Sequence, residues 1–401
     1  MNADEFFPAL LTAEGRTNPY PLYAALHEFG EAVKVEGAVL VASYAAINSV
    51  LRDPRFLVAD AARYDEVAPG WREHASMTAD AILSLNQPQH ARIRGLISKV
   101  FTPRRIAGLE PAITRMTDGL LDAMADSGSD GSRVDFMHDF AFLLPVTVIC
   151  ELLGIPEHDR ESFRPLARAL IATLEPASSA DQWAAADVAT VQLKDYFTGL
   201  VADRSETPRD DLISALAAIS DARDGRLSSN ELLDNLVLLL VAGFETTTNL
   251  LGNGLQIILT DPVVDSALRS GAIPTSAFVE EVLRFDSPVQ MTSRRCPEPA
   301  QVGGVPTTPN DEIVTILGAG NRDPRRFAAP DTFDPARPDA GAISFGGGAH
   351  FCIGAALARL EANVAFPRLL ARFPALAAAG APERKDGLVL RGFETLPVQV
   401  V

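Results

Sequence analysis

The chain of 401 residues is poor in three things, and each shortage removes a class of function. Cysteine comes first. Only Cys150, Cys296 and Cys352 occur, too few and too widely spaced for a disulfide framework or a zinc site. Reduced thiols of this kind fit a cytosolic compartment. Long apolar runs come second. The stretches 140–150 and 236–244 fall well short of the ~20 residues that a bilayer span needs, and Pro145 interrupts the first. The opening residues, MNADEF, are acidic and lack the apolar core of a signal peptide. A soluble, cytoplasmic protein is expected. Positive charge is the third shortage: 35 basic against 52 acidic residues leave a net charge of −17. Phosphate contacts need clustered lysine and arginine, so nucleic acid is excluded as the main partner. The acidity itself serves solubility. Linker-like stretches and internal repeats are also missing, so residues 1–401 are expected to form one domain, although length alone suggests two or three.

What is present reads mostly as helix. Apolar residues recur every three or four positions over 106–124, 188–201 and 232–251. Ser228-Ser-Asn-Glu231 has the form of a capping box ahead of the third. Alternation that predicts strands is confined to 33–41, 313–317 and 388–401. Residues 297–342, rich in Pro, Gly, Asp and Arg, read as a long meandering connection. The fold class is mainly α, with smaller β-sheets near the N-terminus and in the last third.

The run 345–361, FGGGAHFCIGAALARLE, has the pattern F-x-x-G-x-x-x-C-x-G opening into a helix. Gly346, Gly347 and Gly348 let backbone fold tightly against a flat ligand, because no Cβ intervenes. Cys352 then lies at a helix N-terminus, where dipole and N–H groups stabilise a thiolate. A thiolate held against an iron macrocycle is an axial ligand that favours O–O cleavage. A buried structural cysteine beside a turn is the better reading of an arbitrary cysteine; this spacing and helix start make it the worse one here.

Other constellations are weaker. Ala242-Gly-Phe-Glu-Thr246 lies inside a predicted helix, where Gly243 costs ~1 kcal/mol relative to alanine and three threonines follow. Glu245 and Thr246, an acid followed by a hydroxyl, offer a proton relay to a bound oxygen species. The plainer reading is a small residue at a helix crossing with the glutamate facing water. Glu281 and Arg284 share one helix face at i, i+3 and precede the helix stop Asp286-Ser-Pro288. With Arg337 they could form a buried cluster that fixes a loop. Glu157 with Arg160 and Glu161 with Arg164 have the same spacing and read as solvated surface pairs. His90 and Arg94 lie one helical turn apart and can grip a carboxylate. Arg294 and His350 are further candidate grips, while His27, His74, His138 and His158 read as surface or core residues.

In order and spacing, Cys352, Thr246, Glu281 with Arg284, and His90 with Arg94 resemble the bacterial cytochrome P450 family. The resemblance covers nearly the whole chain and includes Phe101-Thr-Pro-Arg104, Leu153-Gly-Ile-Pro156, Asn321-Arg-Asp-Pro324 and Leu357-Ala-Arg-Leu-Glu361. It implies a helical triangular prism with a helix-rich and a β-rich lobe. It implies haem b bound through Cys352 as proximal iron ligand, packed by Phe345, Gly346 and Gly354, with its propionates held by His90, Arg94, Arg294 and His350. Ala242 to Thr246 would lie above the iron, with Glu245 and Thr246 supplying protons during oxygen activation. Phe244, Asn310, Asn86 and Pro367 depart from the family pattern without touching the iron ligand, and Pro367 is expected to kink or end its helix.

The implied activity is monooxygenation, by hydroxylation or epoxidation, of a bulky, largely apolar small molecule in secondary metabolism. The alternatives are oxidative coupling or peroxide-driven oxidation without net hydroxylation, and a non-catalytic haem sensor. Segments 61–85, 171–176, 238–242, 289–292 and 392–395 are the expected pocket lining, with Leu238, Ala242, Val289, Met291 and Phe393 as candidates. Glu175 and Glu394 could bind an amine, though surface placement is the plainer reading. No flavin motif is visible, so electrons are expected from a ferredoxin and its NAD(P)H-dependent reductase, steered by Lys99, Arg104, Arg105 and Arg359.

Overall fold

The computed structural model describes residues 2–58, 74, 78–176, 178–221, 227–309 and 311–400. Asn310 and, from the expected pocket segment 61–85, residues 61–73 and 75–77 lie outside them. Helices make up 57% of the residues, which sets the class as mainly α. The chain divides into two units, the first comprising Met1–Leu57, Glu110–Leu144 and Thr246–Val401, the second Val58–Leu109 and Pro145–Glu245.

The first unit carries every strand among the described residues. Its main sheet runs in the order Ala32–Val35, Ala38–Val41, Glu312–Thr315, Thr292–Arg295. The expected strand at 33–41 is thus a hairpin, broken at Gly37, whose φ of +72° suits glycine. The second hairpin strand lies parallel to Glu312–Thr315, and Thr292–Arg295 closes the sheet antiparallel, with Arg294 opposite Ile313. Two apolar clusters flank this sheet; one gathers Phe6, Tyr23 and Leu40, the other Val39, Ile47 and Ile313.

The supposed meander is more ordered than its composition suggests. It holds the hairpin Ala300–Val302 with Val305–Thr307, a strand of the main sheet, and the short helix Leu317–Gly320. The expected strand at 388–401 separates into Phe393–Thr395, paired with Glu383–Arg384, and Pro397–Gln399, which pairs with Val134–Asp135 and Ala377–Ala378. Proline 367 does not end its helix, which continues from Ala355 to Arg372.

Among its described residues the second unit is helical, built on Gln89–Val100, Phe163–Ala172, Ala180–Glu206 and Leu212–Asp221. The helix expected at 106–124 is two helices, Pro103–Gly108 and Glu110–Ser127. Pro111 has no N–H to bond back to residue 107, so the turn cannot propagate through it. The helices expected at 188–201 and 232–251 extend to Ala180–Glu206 and Ser229–Thr260. The long helix Ser229–Thr260 contains the boundary between the two units, after Glu245. It is long and apolar enough to cross a bilayer, which the short apolar runs do not anticipate, but 78% of its apolar window is buried in the protein.

Candidate active site

The loop before Cys352 starts from a buried amide. Asn321 donates from Nδ2 to Ser344 Oγ at 2.8 Å and accepts Ile343 N–H at 2.8 Å, and Ser344 donates to Leu283 O at 2.6 Å. Sequence reasoning missed this anchor, although Asn321-Arg-Asp-Pro324 was its visible trace. The chain then turns through Gly346 at φ +70° and Gly348 at φ +65°. Only Gly346 stands clear: a Cβ there would meet nothing nearer than His350 O at 4.0 Å. A Cβ on Gly348 would sit 2.1 Å from Leu51 O, and one on Gly347 3.4 Å from Leu51 Cβ. Packing on the helix Tyr44–Arg52 therefore requires glycine at 348, whereas a Cβ at 347 would make only ordinary contact.

Cys352 is exposed, with its N–H bonded to Phe345 O at 2.9 Å. The helix Ala355–Arg372 begins three residues later, and its N-cap Gly354 makes no side-chain cap bond. The thiol thus lies before the positive end of a five-turn helix dipole. Cys150 and Cys296 are buried, and burial pushes the Cys150 thiol up to about 12. His350 ends a short 3₁₀ turn, and Phe345 lies 4.5 Å beneath the Arg359 guanidinium. Arg359 also donates to Glu280 at 3.0 Å, and Arg105 to Asp210 at 3.2 Å. Two of the four cations expected to steer a partner therefore carry their own counter-charge.

Arg294 is buried on its strand, bonded through Nη1 to Thr292 Oγ1 at 3.2 Å and to Ser293 O at 2.7 Å. No carboxylate among the described residues pairs with it, and burial alone pushes the guanidinium down to about 10. Glu281 and Arg284 form the opposite arrangement, a closed buried pair at 2.7 and 2.8 Å. Arg284 further donates to the carbonyls of Asn321, Pro330 and Thr332 at 2.8–3.0 Å, and Glu281 accepts the N–H of Asp334 at 2.8 Å. Arg337 Nε approaches Glu281 only to 3.6 Å and spends its bonds on the carbonyls of Ala328, Ala329 and Thr332. Arg160, in contrast to its expected pairing with Glu157, bonds to Glu151 at 2.9 Å.

In the second unit, His90 is buried on the helix Gln89–Val100, and burial followed by the charge of Arg94 lowers its pKa. On the long helix, Gly243 faces Ile149, whose Cγ1 would lie 2.8 Å from an added Cβ. The small residue thus marks a helix crossing, as in the plainer reading, but Glu245 is buried and does not face water. Leu238, Ala242 and Thr246, spaced by four on one face of this helix, are each at least partly exposed. Val289 bridges to Leu390 and is half-buried, while Met291 is buried. Phe393 is buried too, with the Arg384 guanidinium 3.8 Å over its ring, so Glu394 rather than Phe393 is the exposed side chain of that strand.

A family model described as Cytochrome P450 matches residues 29–271 and 274–397. Cytochrome P450 monooxygenase PikC of Streptomyces venezuelae is 38% identical over 398 residues, covering 95% of this chain and 91% of that protein. The 6-deoxyerythronolide B hydroxylase of Saccharopolyspora erythraea is 36% identical, with coverage of 95% and 96%. Among solved structures, ligand-free Mycobacterium smegmatis CYP164A2 is similar with a TM-score of 0.90 and 37% identity, over 99% of this chain and all of that one.

The chain belongs to the cytochrome P450 family. Within it, the relatives are bacterial monooxygenases, several in secondary-metabolite biosynthesis, and this chain is a cytochrome P450 monooxygenase. Members of the family use a haem-thiolate cofactor, small-molecule substrates, O2 and redox partners.

Proposed function

We propose that this enzyme uses haem b, with Cys352 as proximal iron ligand, to insert one oxygen atom from O2 into a bulky, largely apolar small molecule of secondary metabolism. The single observation carrying this reading is an exposed cysteine thiol that follows a positive-φ glycine turn and precedes a long uncapped helix. The donor set fits the cofactor. A thiol needs a positive environment to act as thiolate, and the helix N-terminus supplies one. Gly346 leaves the room that a Cβ would fill, and Arg294 is a buried cation for which the described residues provide no anion. Haem, when bound, supplies the redox chemistry that divides O2 between substrate and water.

The chain's own residues do the rest. His90, Arg94, Arg294 and His350 would hold the two haem carboxylates. Phe345 and Gly354 would pack the thiolate side of the ring. Glu245, buried on the long helix, holds the proton to be delivered, and Thr246 Oγ1 orients the hydrogen-bond chain that carries it. Leu238 and Ala242, on a partly open stretch of that helix, turn apolar surface toward the substrate. Electrons come from a ferredoxin and its NAD(P)H-dependent reductase in the cytoplasm, and residues 1–401 act as one P450 domain.

A Thr246→Ala variant tests the oxygen-activating role. With saturating substrate and reductant, NAD(P)H consumption should persist while product per NAD(P)H falls about tenfold or more, the difference appearing as peroxide or water, in line with the usual weight of one proton-transfer group. Full coupling in the variant would favour oxidative coupling or peroxide-driven chemistry instead.

A further inference from the structure

We propose that Asn86 is a positioning residue for the His90 and Arg94 pair, acting as a clamp at the start of their helix; the inference rests on the reading that this pair takes haem carboxylates. The carboxamide of Asn86 accepts the N–H of Val58 at 3.0 Å through Oδ1 and donates from Nδ2 to the carbonyl of Val58 at 3.1 Å. One side chain thus satisfies both polar groups of a residue 28 positions earlier. The backbone carbonyl of Asn86 accepts the N–H of His90 at 2.9 Å, so the clamp is continuous with the first turn of the helix. That helix has no side-chain cap of its own, its N-cap being Pro88. Asn86 is therefore the polar tie between its first turn and the preceding chain.

A second tie comes from another side. Arg92, two residues beyond His90 and so turned roughly 200° away from it, donates to Glu231 at 3.2 Å. Glu231 belongs to the capping box, accepting Ser228 N–H at 2.8 Å while its own N–H bonds to Ser228 Oγ at 3.2 Å. The chain just before Asn86 is pinned to the helix Ser229–Thr260: Asn235 accepts Ile82 N–H at 3.0 Å and donates to Asp80 O at 3.1 Å, and Asp234 accepts Asp80 N–H at 3.0 Å. Held at its start by Asn86 and along its flank by Arg92, the helix fixes the direction of His90, which is buried, and of Arg94 one turn on. The amide at position 86 makes both bonds, whereas an ionised carboxylate accepts but cannot donate. Asn86→Asp keeps the Val58 N–H bond and sets a charge against the Val58 carbonyl; Asn86→Ala loses both bonds.

Haem loss from the intact holoenzyme to excess apomyoglobin, measured in a double-mutant cycle, tests this. Asn86→Ala should speed haem loss about tenfold, the worth of two ordinary hydrogen bonds, with Asn86→Asp also faster than wild type. In a His90→Ala/Arg94→Ala background the same Asn86→Ala change should alter the rate less than about twofold, because residues acting through one another are not additive. A merely structural Asn86 would speed haem loss by the same factor in both backgrounds, and that result, or no change in either, overturns the proposal. If His90→Ala/Arg94→Ala by itself leaves haem loss unchanged, the carboxylate-holding reading falls, and this proposal with it.

Discussion

Two buried arginines ten residues apart, Arg284 and Arg294, live under opposite rules. Arg284 ends a helix inside a complete shell: a bidentate carboxylate and three backbone carbonyls use its donors. Arg294 lies on a strand, equally removed from water, with one hydroxyl and its neighbour's carbonyl as bonding partners and no carboxylate among the described residues. A buried charge with its counter-charge in place belongs to the architecture. One without it is costly, and folding tolerates that cost where an anion from outside the chain completes the site. Burial identifies neither role; the partner inventory separates them.

The comparison breaks most visibly at Glu281. Glu281→Ala leaves Arg284 uncompensated in the core and should destabilise the protein by about 3–5 kcal/mol, read from the midpoint of chemical denaturation. A loss below ~1 kcal/mol would place this pair with surface salt bridges and erase the contrast. Arg294→Leu sharpens it with a smaller effect on stability. Removing an unopposed buried charge should leave the apoprotein within about 1 kcal/mol of wild type or make it more stable, while haem dissociates faster from the holoprotein. Strong destabilisation of the apoprotein with unchanged haem loss would mean that Arg294 belongs to the architecture as well.

Legibility in the sequence follows the same division. Features whose partners are close in sequence could be read. The capping box Ser228 to Glu231 forms as its spacing implies, and Glu281 meets Arg284 because i and i+3 share a helix face. Cys352 stood out as a candidate because its glycines, phenylalanine and helix start are contiguous. Contacts made across the fold could not be read. Tyr20 reaches Asp286 over 266 positions at 2.7 Å, and Arg391 reaches it over 105, a hub that no local pattern announces. Two arginines hold the buried Asp286 carboxyl well below the usual carboxylate range, with Tyr20 bonded to the same group. Gly348 could not be assigned from sequence, because a glycine that admits a neighbouring helix looks there like one that admits a ligand. Thr292–Arg295, of sequence TSRR, has no apolar residue to alternate with its polar ones, and was missed for that reason.

The most direct test of the account is the absorption spectrum of the dithionite-reduced protein under carbon monoxide, beside a Cys352→Ala variant. Haem ligated by the Cys352 thiolate predicts a strongly red-shifted Soret band that disappears in the variant. A spectrum typical of histidine-ligated or neutral-thiol haem, or a red-shifted band that survives in Cys352→Ala, would contradict it.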